Sequence, residues 1–218
     1  MRPDTSVPID VAGVVLDADI VVPEHARGAV LFAHGSGSSR HSPRNRMVAG
    51  RLADAGFATV LVDLLTGREE EIDRVSAGLR FDIALLAGRL VGIVDWLGRQ
   101  APTGALPVGL FGASTGSAAA LVAAAQRADT VGAVVSRSGR PDLAGDALSR
   151  VRAPTLLVVG GDDPVVVDLN ERAARLIAAP CEVRIVPHAS HLFSEPGTLE
   201  QVADRATDWF DRHLSPRS

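Results

Sequence analysis

The chain has 218 residues, 46% of them hydrophobic, and a formal net charge of −4. That apolar content excludes an intrinsically disordered chain, and the absence of a basic stripe argues against nucleic acid as a partner. A single cysteine, Cys181, excludes an intramolecular disulfide and supplies no zinc-cluster spacing.

The N-terminal residues run into an alternation with acids at Asp10, Asp17 and Asp19, which is not a signal peptide. No apolar stretch is long enough to span a bilayer, so neither a membrane partner nor any location but the cytoplasm is expected. Val7 to Val22 is rich in β-branched residues and broken near Ala12-Gly13; it reads as one or two antiparallel edge strands. From Ala29 onwards, short apolar runs suited to buried strands alternate with helical patterns. The predicted strands are Ala29–Ala33, Ala58–Val62, Val108–Phe111, Val131–Val135, Thr155–Val159 and Glu182–Val186. The predicted helices are Arg44–Ala55, Phe81–Arg99, Ser117–Gln126, Val167–Ala178 and about Thr198–Leu214. Leu64–Leu79 reads as a loop, with Glu69-Glu70-Glu71 on its solvated surface or on that of a helix. Cys181, at the start of the last strand, is expected to be a buried small hydrophobe.

This alternation predicts right-handed crossovers and an α/β fold, a doubly wound, mostly parallel sheet with an antiparallel N-terminal edge. No linker or repeat divides the chain, so one domain over residues 1–218 is expected. Only Ser136–Asp142 and a short helix, Ala144–Val151, follow the Val131–Val135 strand. That is too little for a lid domain, and an uncapped site suits small or exposed acyl groups.

Gly112-Ala113-Ser114-Thr115-Gly116 joins an apolar strand to a helix of small residues, the pattern of a nucleophile elbow. A serine hydroxyl needs a base to take its proton, and a tight strand-to-helix turn holds it where a base can reach. The same helix start aims N–H groups at developing negative charge. Later strands end in Gly160-Gly161-Asp162-Asp163 and in Pro187-His188-Ala189-Ser190-His191. Ligands of open α/β sheets collect at these carboxyl ends, and the order Ser, Asp, His is that of α/β-hydrolases. His191, further into its loop than His188, is the expected base. Asp163 is the expected acid, with Asp162 assigned to the turn and Asp142 as the alternative position. The backbone N–H groups of Thr115 and Ser36 are the expected oxyanion donors, the latter from the loop His34–Ser39. His34 is expected to organise that loop by hydrogen bonding. A phosphate cradle there would need glycine where Arg40 stands, or a Walker lysine.

Together, His34-Gly-Ser-Gly, Gly-Ala-Ser114-Thr-Gly, Gly-Gly-Asp-Asp163 and Ser190-His191 resemble the dienelactone-hydrolase-like branch of the α/β-hydrolase superfamily. The stretch His34–Asn45 is similar to a serine-bearing subgroup sometimes joined to phosphoribosyltransferase domains, for which 218 residues leave no room. Dienelactone hydrolases proper carry a cysteine nucleophile where this chain has Ser114, so the resemblance implies the fold and the triad but not dienelactone as substrate.

The expected function is therefore cofactor-free and metal-free hydrolysis of small carboxylic esters, or of lactones or thioesters, through an acyl-enzyme. Two alternatives are acyl transfer or perhydrolysis on the same triad, and a non-catalytic protein that binds a small ligand. Arg40, Arg44, Arg137 and Arg140, with Arg80 nearby, fall in loops at the same sheet edge. They bind either an anionic group on the substrate or local acids such as Asp63, Asp82 and Asp142. A homodimer through an edge strand or the last helix is compatible with the pattern.

Overall fold

The computed structural model describes residues 5–11 and 13–214. Within them β1 (Thr5–Val11), β2 (Val14–Val21), β3 (Ala29–Ala33), β4 (Ala58–Val62), β5 (Val108–Ala113), β6 (Val131–Arg137), β7 (Thr155–Gly160) and β8 (Cys181–Val186) form one sheet. Its order is β1-β2-β4-β3-β5-β6-β7-β8. β1 pairs antiparallel with β2, and β2 with β4, whereas β4, β3, β5, β6, β7 and β8 run parallel. This is the doubly wound sheet with an antiparallel edge that the sequence predicts. Of the expected break between the edge strands, Gly13 has φ 82 and Ala12 lies outside the described residues.

Strand residues alternate between two cores, as the twofold period of a strand requires. In β3, Leu31 and Ala33 face one core while Val30 and Phe32 face the other. The second core is covered by α1 (Pro43–Asp54) and α6 (Thr198–His213). In α6 the buried residues Val202, Ala203, Ala206, Trp209 and Phe210 recur at helical spacing and form one apolar stripe. The first core lies beneath α3 (Ile83–Leu97), α4 (Thr115–Gln126), a 3₁₀-rich segment Pro141–Arg150 and α5 (Pro164–Ala174). α4 is buried from Thr115 to Leu121 without a break. Its alanines let a central helix lie close to the sheet.

Among the boundaries that differ from the sequence expectation, three have a clear local reason. α4 starts at Thr115, directly after Ser114 and not at Ser117, because the elbow itself begins the first turn. The predicted helix Phe81–Arg99 divides into a 3₁₀ turn, Leu79–Phe81, and α3, since the Asp82 carboxylate accepts the Leu85 N–H at 2.9 Å and caps the second piece. Pro164 starts α5 earlier than predicted, its fixed φ suiting the first helical position. A fourth difference is larger. Gly67–Ser76, read as loop, is a helix (α2) closed by a capping box in which Thr66 and Glu69 satisfy each other's backbone N–H groups. Ile72 and Val75 on it are exposed, so it lacks the apolar stripe that would have marked it. Cys181 opens the edge strand β8 and is half-buried against the first core rather than enclosed. Burial, and then Glu182, push its thiol up to about 12. No helix among the described residues is long and apolar enough to cross a membrane.

Phe210 is fully buried, and a Cβ on Gly109 of β5 would stand only 2.6 Å from its ring. Phe210→Ala is expected to cost about 3–5 kcal/mol in chemical denaturation, from lost transfer energy plus the cavity left behind. A loss below about 1 kcal/mol would contradict this packing.

Candidate active site

β5 stays buried to its end, and the chain turns at Ser114 directly into α4. Ser114 has φ 51 and ψ −122, a conformation that costs a non-glycine residue about 1–3 kcal/mol. Its surroundings hold it there. The Ser114 N–H donates to the Arg137 carbonyl, and the Ser114 carbonyl accepts from Ser117 N and Arg140 N, each at 3.1 Å. A Cβ on Gly116 would run into the Ala33 and His34 carbonyl oxygens, and one on Gly112 into the Ser117 backbone. Both glycines of the motif are therefore steric requirements of the turn.

The acid and the imidazole meet where β7 and β8 end. Asp163 Oδ1 accepts the Val166 N–H at 3.4 Å and so caps α5, while Oδ2 lies 2.7 Å from His191 Nδ1. Nδ1 thus carries the proton donated to the carboxylate, which leaves Nε2 as the acceptor. Asp163, and not Asp162, caps the helix, and it meets His191 with its other oxygen. The loop that carries His191 is pinned at several points. Asp162 N–H donates to the Ala189 carbonyl at 3.0 Å and Gly161 N–H to the Val186 carbonyl at 2.9 Å. A Cβ on Gly160 would collide with the Ala189 and Ser190 carbonyl oxygens. Ser190 N–H donates to Glu195 Oε2 at 3.0 Å, and this bond holds the Glu195 carboxyl below its usual range. His188 is exposed, with φ 59, and Asp142 is engaged by Arg140.

Ser114 and His191 line one cavity of about 230 Å³, together with Ser36, Arg44, Asn45, Arg137 and Ser138. A second cavity, of about 440 Å³, lies against the same loop and is lined by Ser36, Thr115, Leu65, Leu86 and Arg80. His34 divides its nitrogens between two backbone groups. Nε2 accepts the Leu64 N–H at 3.1 Å, so Nδ1 carries the proton and donates to the Gly35 carbonyl at 3.0 Å. Burial is the main cause that lowers its pKa from 6.5. His34 is thus an organiser of the loop, as expected. Ser36 N–H donates to Thr115 Oγ1 at 2.9 Å.

The loop arginines separate into two groups. Arg40 is paired with Asp63 and with Asp19, Arg140 forks onto Asp142 at 2.9 and 2.8 Å, and Arg80 holds Asp73 at 2.6 Å. These three bind local acids. Arg44 and Arg137 instead line the Ser114 cavity. Arg137 is 6% exposed, and its Nη2 reaches Asn45 Oδ1 at 3.3 Å. Burial first, and the neighbouring Arg44 second, push its pKa down to about 10, so it stays charged at neutral pH. Sequence reasoning missed Asn45, Ser138, Gly160 and Glu195. Only Glu195 had a visible signal, as an acid four residues beyond the candidate base in a short loop.

Residues 16–215 match the model of the dienelactone hydrolase family. The chain belongs to that family. A crystal structure of a dienelactone hydrolase from Anabaena variabilis is 57% identical and superposes with a TM-score of 0.96, over 97% of this chain and 98% of that one. Est1E from Butyrivibrio proteoclasticus, at 16% identity, shares the fold with a TM-score of 0.79 over 95% of this chain and 98% of its own. With the strand order above, these likenesses make the architecture an α/β-hydrolase fold. Proteins from two strains of Mycobacterium tuberculosis, provisionally named phosphoribosyl transferases, are 60% identical over 207 residues. That alignment takes in 95% of this chain but 45% of each relative, so the chain spans less than half their length.

The His34 tautomer has a consequence for pH. A folded pKa below 6.5 contributes stability that is present above the unfolded value and lost as pH falls through the folded one. In an NMR titration the His34 ring is expected to stay neutral and Nδ1-protonated below pH 6.5. Stability should decline with acidification more steeply in the wild type than in His34→Asn. A His34 midpoint at or above 6.5 would contradict the assignment.

Proposed function

We propose that this family member is a serine hydrolase of small carboxylic esters, with Ser114 as nucleophile, His191 as general base and acid, and Asp163 as its orienting carboxylate. The observation that carries it is the 2.7 Å Asp163–His191 bond, with His191 on the wall of the cavity that Ser114 also lines. The bond dictates the imidazole tautomer, leaving Nε2 unprotonated for the hydroxyl.

In the first half-reaction Ser114 Oγ attacks the ester carbonyl carbon and its proton passes to His191 Nε2. The negative charge that develops on the carbonyl oxygen is held by the N–H groups of Thr115 and Ser36. The Ser36 N–H already engages the Thr115 hydroxyl, so it exchanges one oxygen acceptor for another as the carbonyl enters. Collapse breaks the bond to the leaving oxygen, which takes the proton from His191 and departs as the alcohol. Water then attacks the acyl-serine, giving its proton to His191. Breakdown of the second tetrahedral intermediate releases the acid and returns the proton to Ser114. The Ser114 cavity of about 230 Å³ shares Gly35, Ser36, Ser38 and Ser42 with one of about 440 Å³ that Thr115 lines, which is room for a small-molecule ester.

The transferase name of the mycobacterial relatives describes proteins more than twice as long. The stretch they share with this chain largely coincides with the hydrolase-family match, which favours ester hydrolysis for these residues. Acyl transfer to an acceptor other than water would use the same first half-reaction.

Ser114→Ala is expected to lower aryl acetate turnover by about 10⁴-fold or more and to abolish labelling by a fluorophosphonate, with an unchanged circular dichroism spectrum. Turnover persisting at the wild-type rate would remove Ser114 from the mechanism.

A further inference from the structure

Ester hydrolysis alone gives no task to the positive charge in the Ser114 cavity. The described residues contain six buried side-chain polar atoms without a hydrogen-bond partner. Three of them, Arg44 Nε, Arg137 Nε and Ser138 Oγ, belong to residues lining this one cavity. Arg137 and Ser138 are 6% and 1% exposed, so solvent is a poor substitute for the missing acceptors. Leaving a buried charged donor unpaired is costly. Arg40, Arg80 and Arg140 have each found a carboxylate. No carboxylate ion-pairs with Arg44 or Arg137 among the described residues, and the two guanidinium groups repel each other. The N-terminus of α1, capped by Ser42, reaches the same space and adds partial positive charge.

We propose that Arg44, Arg137 and Ser138 form a subsite for a phosphate monoester carried on the substrate, a short spacer away from the ester cleaved at Ser114. The choice of phosphate follows from counting. Two guanidinium charges are balanced by a dianion, whereas a carboxylate neutralises one of them. A phosphate monoester also offers the two guanidinium forks three terminal oxygens, one more than a carboxylate. Because the subsite and the nucleophile share about 230 Å³, the spacer is limited to a few atoms. The substrate class is then a short-chain ester of a small phosphorylated alcohol. This inference rests on the proposed role of Ser114 for the ester part, and on the arginines alone for the phosphate part.

Three acetates of similar size separate the possibilities: 2-acetoxyethyl phosphate, 3-acetoxypropionate and neutral 2-methoxyethyl acetate. In the wild type kcat/KM is expected to favour the phosphate ester over both others by about tenfold or more. In Arg44→Met and in Arg137→Met the phosphate-to-neutral ratio should collapse to within about threefold of one. Arg44 is only half-buried, so its variant reports even where loss of the buried Arg137 impairs folding. A carboxylate ester processed as well as the phosphate ester, or a phosphate preference that survives substitution of Arg44, overturns the proposal. Calorimetric titration of inorganic phosphate and of acetate into Ser114→Ala tests the subsite apart from catalysis. Phosphate binding that weakens about tenfold on adding Arg44→Met supports the subsite even where no ester is turned over by the wild type. Absence of phosphate binding there overturns it even where neutral esters are hydrolysed.

Discussion

The organisation of this molecule depends on one backbone conformation, the left-handed φ of Ser114 between β5 and α4. A turn that sharp brings the helix back against the strand it leaves, so both flanking positions must lack a side chain. Gly116 fits beneath the Ala33 and His34 carbonyls, and Gly112 beside the Ser117 backbone. The same turn recruits the end of β6, because the Arg137 carbonyl and the Arg140 N–H bond the backbone of Ser114 from both sides. The strain is thus spread over three segments of chain. One result is that Arg137, at the strand end, lines the same cavity as Ser114.

A comparable economy governs the acid. Asp163 caps α5 with one oxygen and meets His191 with the other. A capping carboxylate has little rotational freedom, so the imidazole it orients inherits a fixed direction from a helix end. The His191 loop approaches β7 closely enough that Gly160 has no room for a Cβ, and backbone bonds from Gly161 and Asp162 close the gap. Glu195 completes the loop from the other side through the Ser190 N–H. Placement of His191 is therefore largely a backbone matter, which suits the proton-transfer role proposed for it.

Much of this was legible because its signals are local or periodic. Buried parallel strands leave continuous apolar runs, and β3, β4 and β5 are apolar throughout or nearly so. The elbow is a five-residue pattern, and both Asp163 and His191 fall just beyond predicted strand ends. What was not legible depended on partners distant in the chain. α2 lacks an apolar face, and its only mark was Thr66 and Glu69 at capping-box spacing. The arginines look alike in sequence. That Arg40 meets Asp19 and Asp63, while Arg44, four residues on, ion-pairs with no acid among the described residues, depends on strands distant in the chain. Likewise, nothing in Ser136-Arg137-Ser138 predicts that the last two residues line the cavity of Ser114.

The cations Arg44 and Arg137 line the same cavity as Ser114 and His191. An anionic group proposed to sit between them would be bound alike in the ground state and in the transition state, because it takes no part in the bonds made and broken at the ester. Such binding lowers KM, and it raises kcat only where it draws the scissile carbonyl towards Ser114 Oγ. A neutral ester of the same size gains neither. Selectivity of this kind needs no lid and no large pocket, only a cavity small enough that the anion and the scissile carbonyl share it.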